Sequence, residues 1–250
     1  RVRCSTENGG QIPFFFGRAL GFEGIDAKAE AIAMFRDGIT GFRANKKTGN
    51  TSLIPFALHV DEWQNLLTSG GSDQWTYDEE TGQVTPGGDG IPEMSFYPAT
   101  QTAPGNFGTV EVGNPSNGTP DLIAQIENGM SEADLAYHGG ELGLDPSTGQ
   151  LLLNGDTGIS GGLKAGLEAI VGKPRSLFLY ESVAGVGDNA EYTIVGFAGI
   201  RIVDFQLGGP QDANGNTHYI IMQPSVVIDD AAVAGNGQSY SVYQPVVLVR

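Results

Sequence analysis

Apolar positions are densest between residues 154 and 205. Asn154-Gly155-Asp156-Thr157-Gly158 reads as a turn. Ile159, Leu163, Leu167, Ala169 and Ile170 then recur at helical spacing, and Gly172-Lys173-Pro174 stops that helix. Two long runs rich in Ile, Val, Leu, Phe and Tyr follow, over residues 175–183 and 191–205, joined by Gly185-Val186-Gly187-Asp188-Asn189. A helix beside two such strands can bury more apolar area than any other segment, so the rest of the chain is expected to pack around it.

Before this stretch the pattern predicts a short strand over residues 2–6 and a turn at Asn8-Gly9-Gly10. A helix is predicted from Pro13, at its first position, to Leu20, with Gly21 as its stop. Phe14, Phe15, Phe16, Leu20 and Phe22 make that helix aromatic, which suits core packing or a docking face. Over residues 25–35, Asp26, Lys28 and Glu30 alternate with alanine, and the alternation predicts a half-buried strand. A basic loop (Arg43, Lys46, Lys47) precedes a strand over residues 53–60. Asp61 is the expected N-cap of a helix through Trp63, Leu66 and Leu67, ended by Gly70-Gly71.

Residues 70–120 hold most of the turn formers, with strands predicted at 93–97 and 107–112. Thr119-Pro120-Asp121 opens a helix through Ile123 and Ile126, and Ser131 with Asp134 caps a shorter one. Strands are predicted at 218–222, 225–228 and 239–249, after a hairpin turn at Asp212-Ala213-Asn214-Gly215-Asn216. Asp78-Glu79-Glu80-Thr81-Gly82 and Asp145-Pro146-Ser147-Thr148-Gly149 share a pattern suited to a turn that closes on a glycine of positive φ. Two similar hairpins are expected there.

These elements predict an α+β, mostly β fold: antiparallel and mixed sheets, a few short helices and many glycine-rich hairpins. Two segments are expected, a helix–strand part over residues 1–46 and a glycine-rich, mostly β part over residues 47–250, either separate or packed as one unit. The 38 glycines and 13 prolines agree with many tight turns. A formal net charge of −16 argues against nucleic acid and against an anionic bilayer as partners. No apolar run is long enough to cross a membrane as a helix. The single cysteine, Cys4, has no partner within the chain and reads as a small buried residue.

Several patterns invite a chemical reading. Gly158-Ile159-Ser160-Gly161-Gly162 has the spacing of a nucleophile elbow, with Asp204 and His218 following in the order such hydrolases use. The expected strand ends near Leu153, too far from Ser160 for a sharp strand-to-helix turn, so Ser160 reads as a helix-start residue. Gly185-Val186-Gly187-Asp188-Asn189-Ala190 resembles a dinucleotide fingerprint, but a strand follows, which leaves no helix N-terminus for a pyrophosphate. His59, His138 and His218 lack a second metal-type ligand at a suitable spacing, and Asp212, Asn214 and Asn216 lack the later acid of a calcium loop. The close acids, Asp229-Asp230, Asp78-Glu79-Glu80 and Asp188 with Glu191, read as turn residues. Asn50-Thr51-Ser52 and Asn117-Gly118-Thr119 are formal glycosylation patterns, and Trp63, Trp75 and Tyr97 are candidate sugar-stacking rings. No catalytic, cofactor-binding or metal-binding residue is assigned.

Pro13-Phe14-Phe15-Phe16-Gly17-Arg18-Ala19-Leu20-Gly21-Phe22, followed by the alternating segment over residues 26–33, resembles the end of the pilin-like region of TadE/TadG-like proteins of the bacterial tight-adherence (Flp) pilus system. Residues 49–56, 103–109 and 154–204 are similar to the long C-terminal part of some TadG-like members. The upstream hydrophobic anchor and the von Willebrand A-type metal site of such members have no counterpart in these residues. The resemblance implies a non-enzymatic, exported structural subunit of a pilus or envelope assembly at the bacterial surface. Its implied partners are copies of itself or other such subunits; the apolar terminal strands at residues 2–6 and 246–249 are the expected places for strand addition between them. A serine or acid-pair hydrolase and a carbohydrate-binding adhesion module are the alternatives.

Overall fold

The computed structural model describes residues 12–13, 24–25, 32–36, 38–97, 108–114, 118–156, 161–210 and 218–249. In chain order the first strands are β1 (Ile12–Pro13), β2 (Gly24–Ile25), β3 (Ile32–Arg36), β4 (Ile39–Phe42) and β5 (Leu53–His59). Helix α1 (Val60–Ser69) leads to β6 (Trp75–Asp78), β7 (Gln83–Pro86), β8 (Met94–Tyr97) and β9 (Thr109–Val110). Helices α2 (Thr119–Asn128) and α3 (Glu132–Ala136) precede β10 (Leu142–Gly143) and β11 (Leu151–Asp156). After α4 (Lys164–Ile170) come β12 (Pro174–Ala184), β13 (Glu191–Leu207), β14 (His218–Pro224), β15 (Val227–Ile228), β16 (Ala232–Ala234), β17 (Gln238–Tyr240) and β18 (Val242–Val249). The fold is mostly β, in antiparallel and mixed sheets with short helices, as the residue pattern predicts.

The chain forms two compact units, a larger one over residues 36–244 and a smaller one of residues 1–35 and 245–250. In the smaller unit β1 pairs antiparallel with β2, Ile12 opposite Ile25 and Pro13 opposite Gly24. Pro13 therefore sits in a strand and does not open a helix; a two-stranded ladder has an outer edge where a missing N–H costs nothing. Residues 1–6, 14–20 and 26–31, on which the terminal strand, the aromatic helix and most of the alternating strand were expected, lie outside the described residues, as does Cys4.

The larger unit is built on the β12–β13 hairpin, paired antiparallel from Pro174↔Arg201 to Ala184↔Glu191. The glycine-rich joint between the two strands holds a single 3-10 turn at Gly187–Asn189, so it is a hairpin loop and not a phosphate cradle. The outer edge of β12 takes β5 in parallel, from Ser176↔Leu53 to Tyr180↔His59. The other edge of β13 serves three strands in succession: β11 (Leu151↔Ile194 to Asn154↔Glu191), β17 (Gly196↔Gln238 to Ala198↔Tyr240) and β14 (Ile200↔Pro224 to Leu207↔His218). Gly196 permits the middle contact, because a Cβ there would lie 2.3 Å from the Gln238 carbonyl oxygen. Short β9 pairs with both β11 and β5, which closes β11–β9–β5–β12–β13 into a ring. Asn154, Gly155 and Asp156, expected in a turn, belong to β11, where Gly155 and Asp156 pair with Val110 and Thr109; residues 157–160 lie outside the described residues.

Both faces of this sheet are buried, which explains the nearly continuous apolar runs of its strands. One face carries Leu53 and Ala57 of β5, Phe178 and Tyr180 of β12, and Ile194 and Phe197 of β13; it packs on Ile39 and Phe42 of β4 and Leu142 of β10. The other carries Ile54, Phe56 and Leu58, Leu177 and Leu179, and Ile200 and Ile202. It is covered by Trp63 and Leu66 of α1, Leu122 and Ile126 of α2, and Leu167 and Ile170 of α4. Phe197 is fully buried, edge-on to Phe42 at 5.0 Å and 5.9 Å from Phe178.

Local signals place the helix ends. The Ser131 hydroxyl accepts from Asp134 N at 3.2 Å and the Asp134 carboxylate accepts from Ser131 N at 2.8 Å, a reciprocal box at the start of α3. The α2 start has Pro120 in its first turn and Asp121 accepting from Gly118 N at 3.3 Å. Helix α1 differs from expectation: β5 runs directly into it, so its cap is His59, whose Nδ1 accepts from Asp61 N at 3.2 Å. Asp61 and Glu62 lie in the first turn, favoured there by the helix dipole.

The two Asp-x-x-Thr-Gly turns share one geometry. Gly82 N donates to Asp78 O at 2.8 Å and Gly149 N to Asp145 O at 2.7 Å, with φ of 69° and 72° at the two glycines. The first closes the β6–β7 hairpin. The second does not make a hairpin, because β10 pairs with β4 whereas β11 pairs with β9 and β13. The turn is a local device, and what it joins is decided elsewhere.

Two outcomes follow from this packing. Phe197→Ala removes the ring between Phe42 and Phe178 and should lower unfolding free energy by about 3–5 kcal/mol in denaturant titration. Asp145 accepts from the Ser147 hydroxyl and from Thr148 N and Ser147 N, which pull its pKa from 3.8 to about 2. Because the folded value is the lower one, its stabilising effect is complete above the ordinary value and fades as pH falls toward 2. Carboxyl NMR should place its midpoint near 2, and Ser147→Ala should raise it.

Candidate functional site

Asp204 and His218 fall on adjacent strands, β13 and β14, yet the ladder separates them. His218 is opposite Leu207, three residues beyond Asp204, so the two side chains emerge on opposite faces of the sheet. Tyr219, opposite Gln206, shares the Asp204 face, and its Oη donates to Asp204 Oδ2 at 3.0 Å. Burial raises the Asp204 pKa, opposed by that hydrogen bond. Ser160 lies outside the described residues. An acid–histidine relay between Asp204 and His218 is therefore not assembled.

The remaining histidines serve separate places. His59 Nε2 lies 3.2 Å from the Glu181 carbonyl oxygen, with its ring edge-on to Tyr180 at 5.2 Å. His138 follows α3, where burial lowers its pKa and favours the neutral ring. Among the described residues no three His, Cys, Asp or Glu side chains gather where a metal ion could sit. Trp63 is fully buried, with Tyr240 6.1 Å away, and so offers no stacking platform to a sugar; Trp75 and Tyr97 are half-buried. Asn50 is exposed, while Ser52 of its glycosylation pattern hydrogen-bonds Ser176 at 2.8 Å.

The acids that looked chemical, and some that did not, hold backbone. Asp229 is 6% exposed and accepts from Ser52 N at 2.5 Å and Ala231 N at 2.7 Å, tying the chain after β15 to the segment before β5. Glu93 is 1% exposed and accepts from Ser72 Oγ, Gln74 N and Trp75 N at 3.0, 2.8 and 2.7 Å. A lone acid between Pro92 and Met94 carries no pattern, so sequence reasoning overlooks Glu93. Asp73 accepts from Asp89 N at 2.9 Å and Gly90 N at 3.1 Å. Arg201 stacks on the Tyr77 ring at 3.4 Å and donates to Gly172 O at 2.8 Å, which holds the β6–β7 hairpin against the end of α4.

One feature of the larger unit is left open. β15 runs parallel to β18, with Val227 opposite Val242 and Ile228 opposite Tyr243. Val227 N donates to Ser241 O at 2.8 Å and Asp229 N to Tyr243 O at 3.0 Å, so the alternate residues 226 and 228 turn their peptide groups away from β18. Val226 and Ile228 are 60% and 58% exposed, among the most exposed large apolar residues described. Among the described residues the outer edge of β15 has no strand partner, and two β-branched side chains flank it. Strand β18, whose end was expected to be open, is the middle strand of a sheet, between β15 and β3.

Comparison of the chain with known protein families, with curated proteins and with solved structures returns no match.

Proposed function

We propose that this chain is a non-catalytic structural subunit of an exported assembly at the bacterial surface, of the TadE/TadG-like kind that its residues resemble, and that it associates with copies of itself by strand addition. The observation that carries the reading is the unpaired β15 edge with Val226 and Ile228 beside it. An added strand would satisfy outward peptide groups, at about 0.5–1.5 kcal/mol per hydrogen bond, and cover two apolar side chains worth about 1.5–3 kcal/mol each when fully buried. Natural sheets that stay monomeric protect such an edge by shortness, charge, proline or a bulge; β15 is short, but residues 226–228 carry neither charge nor proline. The carboxylates support the same reading: Asp73, Glu93 and Asp229 are engaged as acceptors of backbone N–H groups.

Sedimentation over a range of concentrations tests the edge. The native chain should self-associate, and Ile228→Lys should weaken association by about tenfold or more, equivalent to about 1.4 kcal/mol, while leaving the melting temperature within a few degrees. A native chain that stays monomeric throughout, or a variant that associates as well as the native chain, would refute the proposal.

A further inference from the structure

A cleft of about 430 Å³ opens in the larger unit between the first turn of α1, the Asp145 turn, the β12–β13 pair and the turn between β16 and β17. It falls within the range of about 300–1,000 Å³ typical of small-ligand sites. Its lining holds no lysine, arginine or histidine and a single carboxylate, Glu181. Four primary amides line it from separate elements: Gln64, Gln150, Asn236 and Gln238.

Three of these amides, Gln64, Gln150 and Gln238, are held by the protein itself. Gln238 Nε2 donates to Tyr240 Oη at 2.6 Å, and Gln64 Nε2 donates to the same oxygen at 3.4 Å. Tyr240 in turn lies against buried Trp63, and Gln150 Nε2 donates to Glu181 Oε1 at 2.5 Å. The carbonyl oxygens of Gln64 and Gln238 and the amide of Asn236 make no protein hydrogen bond among the described residues. The amides of Gln64 and Gln238, tethered through Tyr240 Oη, thus keep carbonyl acceptors free before any ligand arrives, which reduces the ordering cost of binding.

The chemistry of the lining selects the ligand class. An anion meets no cation here, and an apolar ligand would strip water from four amides and a carboxylate without replacing their hydrogen bonds. A ligand bearing adjacent neutral hydroxyls, each both donor and acceptor, matches amides that present the same pair of functions. We propose that this cleft binds a neutral saccharide, held by Gln64, Gln150, Asn236 and Gln238, with Tyr240 as a positioning residue. This site stands apart from the β15 edge and rests on different observations. None of the rings marked in the sequence as sugar platforms lines it.

The test is a titration of the full ¹⁵N-labelled chain with neutral trisaccharides of glucose, mannose, galactose and N-acetylglucosamine, with inorganic phosphate and calcium chloride as separate arms. At least one saccharide should shift the side-chain amide signals of Gln64, Gln150 and Gln238 saturably, with an affinity on the order of 1 mM. The double variant Gln150→Ala with Gln238→Ala should weaken that binding about tenfold. Tyr240→Phe, which keeps the ring and removes the shared acceptor, should weaken it several-fold with an unchanged melting temperature. The proposal is overturned if no saccharide produces a saturable shift at about 10 mM. Response of these amides to phosphate or calcium alone overturns it too, as does native-like binding by the double variant.

Discussion

The β12–β13 hairpin presents apolar side chains on both of its faces, and most of the larger unit is placed by one of those faces or by one of the two edges. Seventeen residues of β13 are long enough to receive β11, β17 and β14 in succession on a single edge. The ring through β9 and β5 then satisfies backbone groups that an open sheet of this size would leave at an edge. Helices α1, α2 and α4 cover one face because each has an apolar stripe and no other surface on which to bury it.

Against that apolar centre the many acids have a mainly backbone role. Glu93 and Asp229 are nearly inaccessible carboxylates stabilised by N–H groups and not by cations, and Asp78 and Asp145 do the same on the surface at the bends of their turns. The exposed ion pairs, Arg43 with Glu141 and Lys164 with Glu168, contribute little by comparison. A chain of net charge −16 can bury Glu93 and Asp229 because each is matched by directed donors, which replace the water it loses. Two surface features of the described residues stand outside this backbone support: the β15 edge and the amide-lined cleft beside α1.

Much of the local structure was legible in the residues. The starts of α2 and α3, the Gly70 stop of α1, the loop of the β12–β13 hairpin and the glycine bends at Gly82 and Gly149 all depend on contacts within a few residues. A side chain that caps its own helix or bends its own turn leaves a readable spacing. Where expectation failed, a distant partner intervened. Pro13 is in a strand because Gly24 lies opposite it, Asn154 continues β11 because Val110 and Thr109 extend the ladder past it, and the Asp145 turn joins strands of two different sheets.

The amino-acid sequence by itself determined the mostly β character, the turn chemistry, the helix caps and the apolar runs that must be buried, since each is set by intrinsic geometry or by the spacing of neighbours along the chain. Only the tertiary structure decided which strands share an edge, that Asp204 and His218 point to opposite faces, that Trp63 is enclosed, and that amides from four elements surround one cleft. Those outcomes depend on register and on residues far apart in the chain. A shift of one position in a ladder exchanges the faces of every side chain in a strand without altering a single local preference.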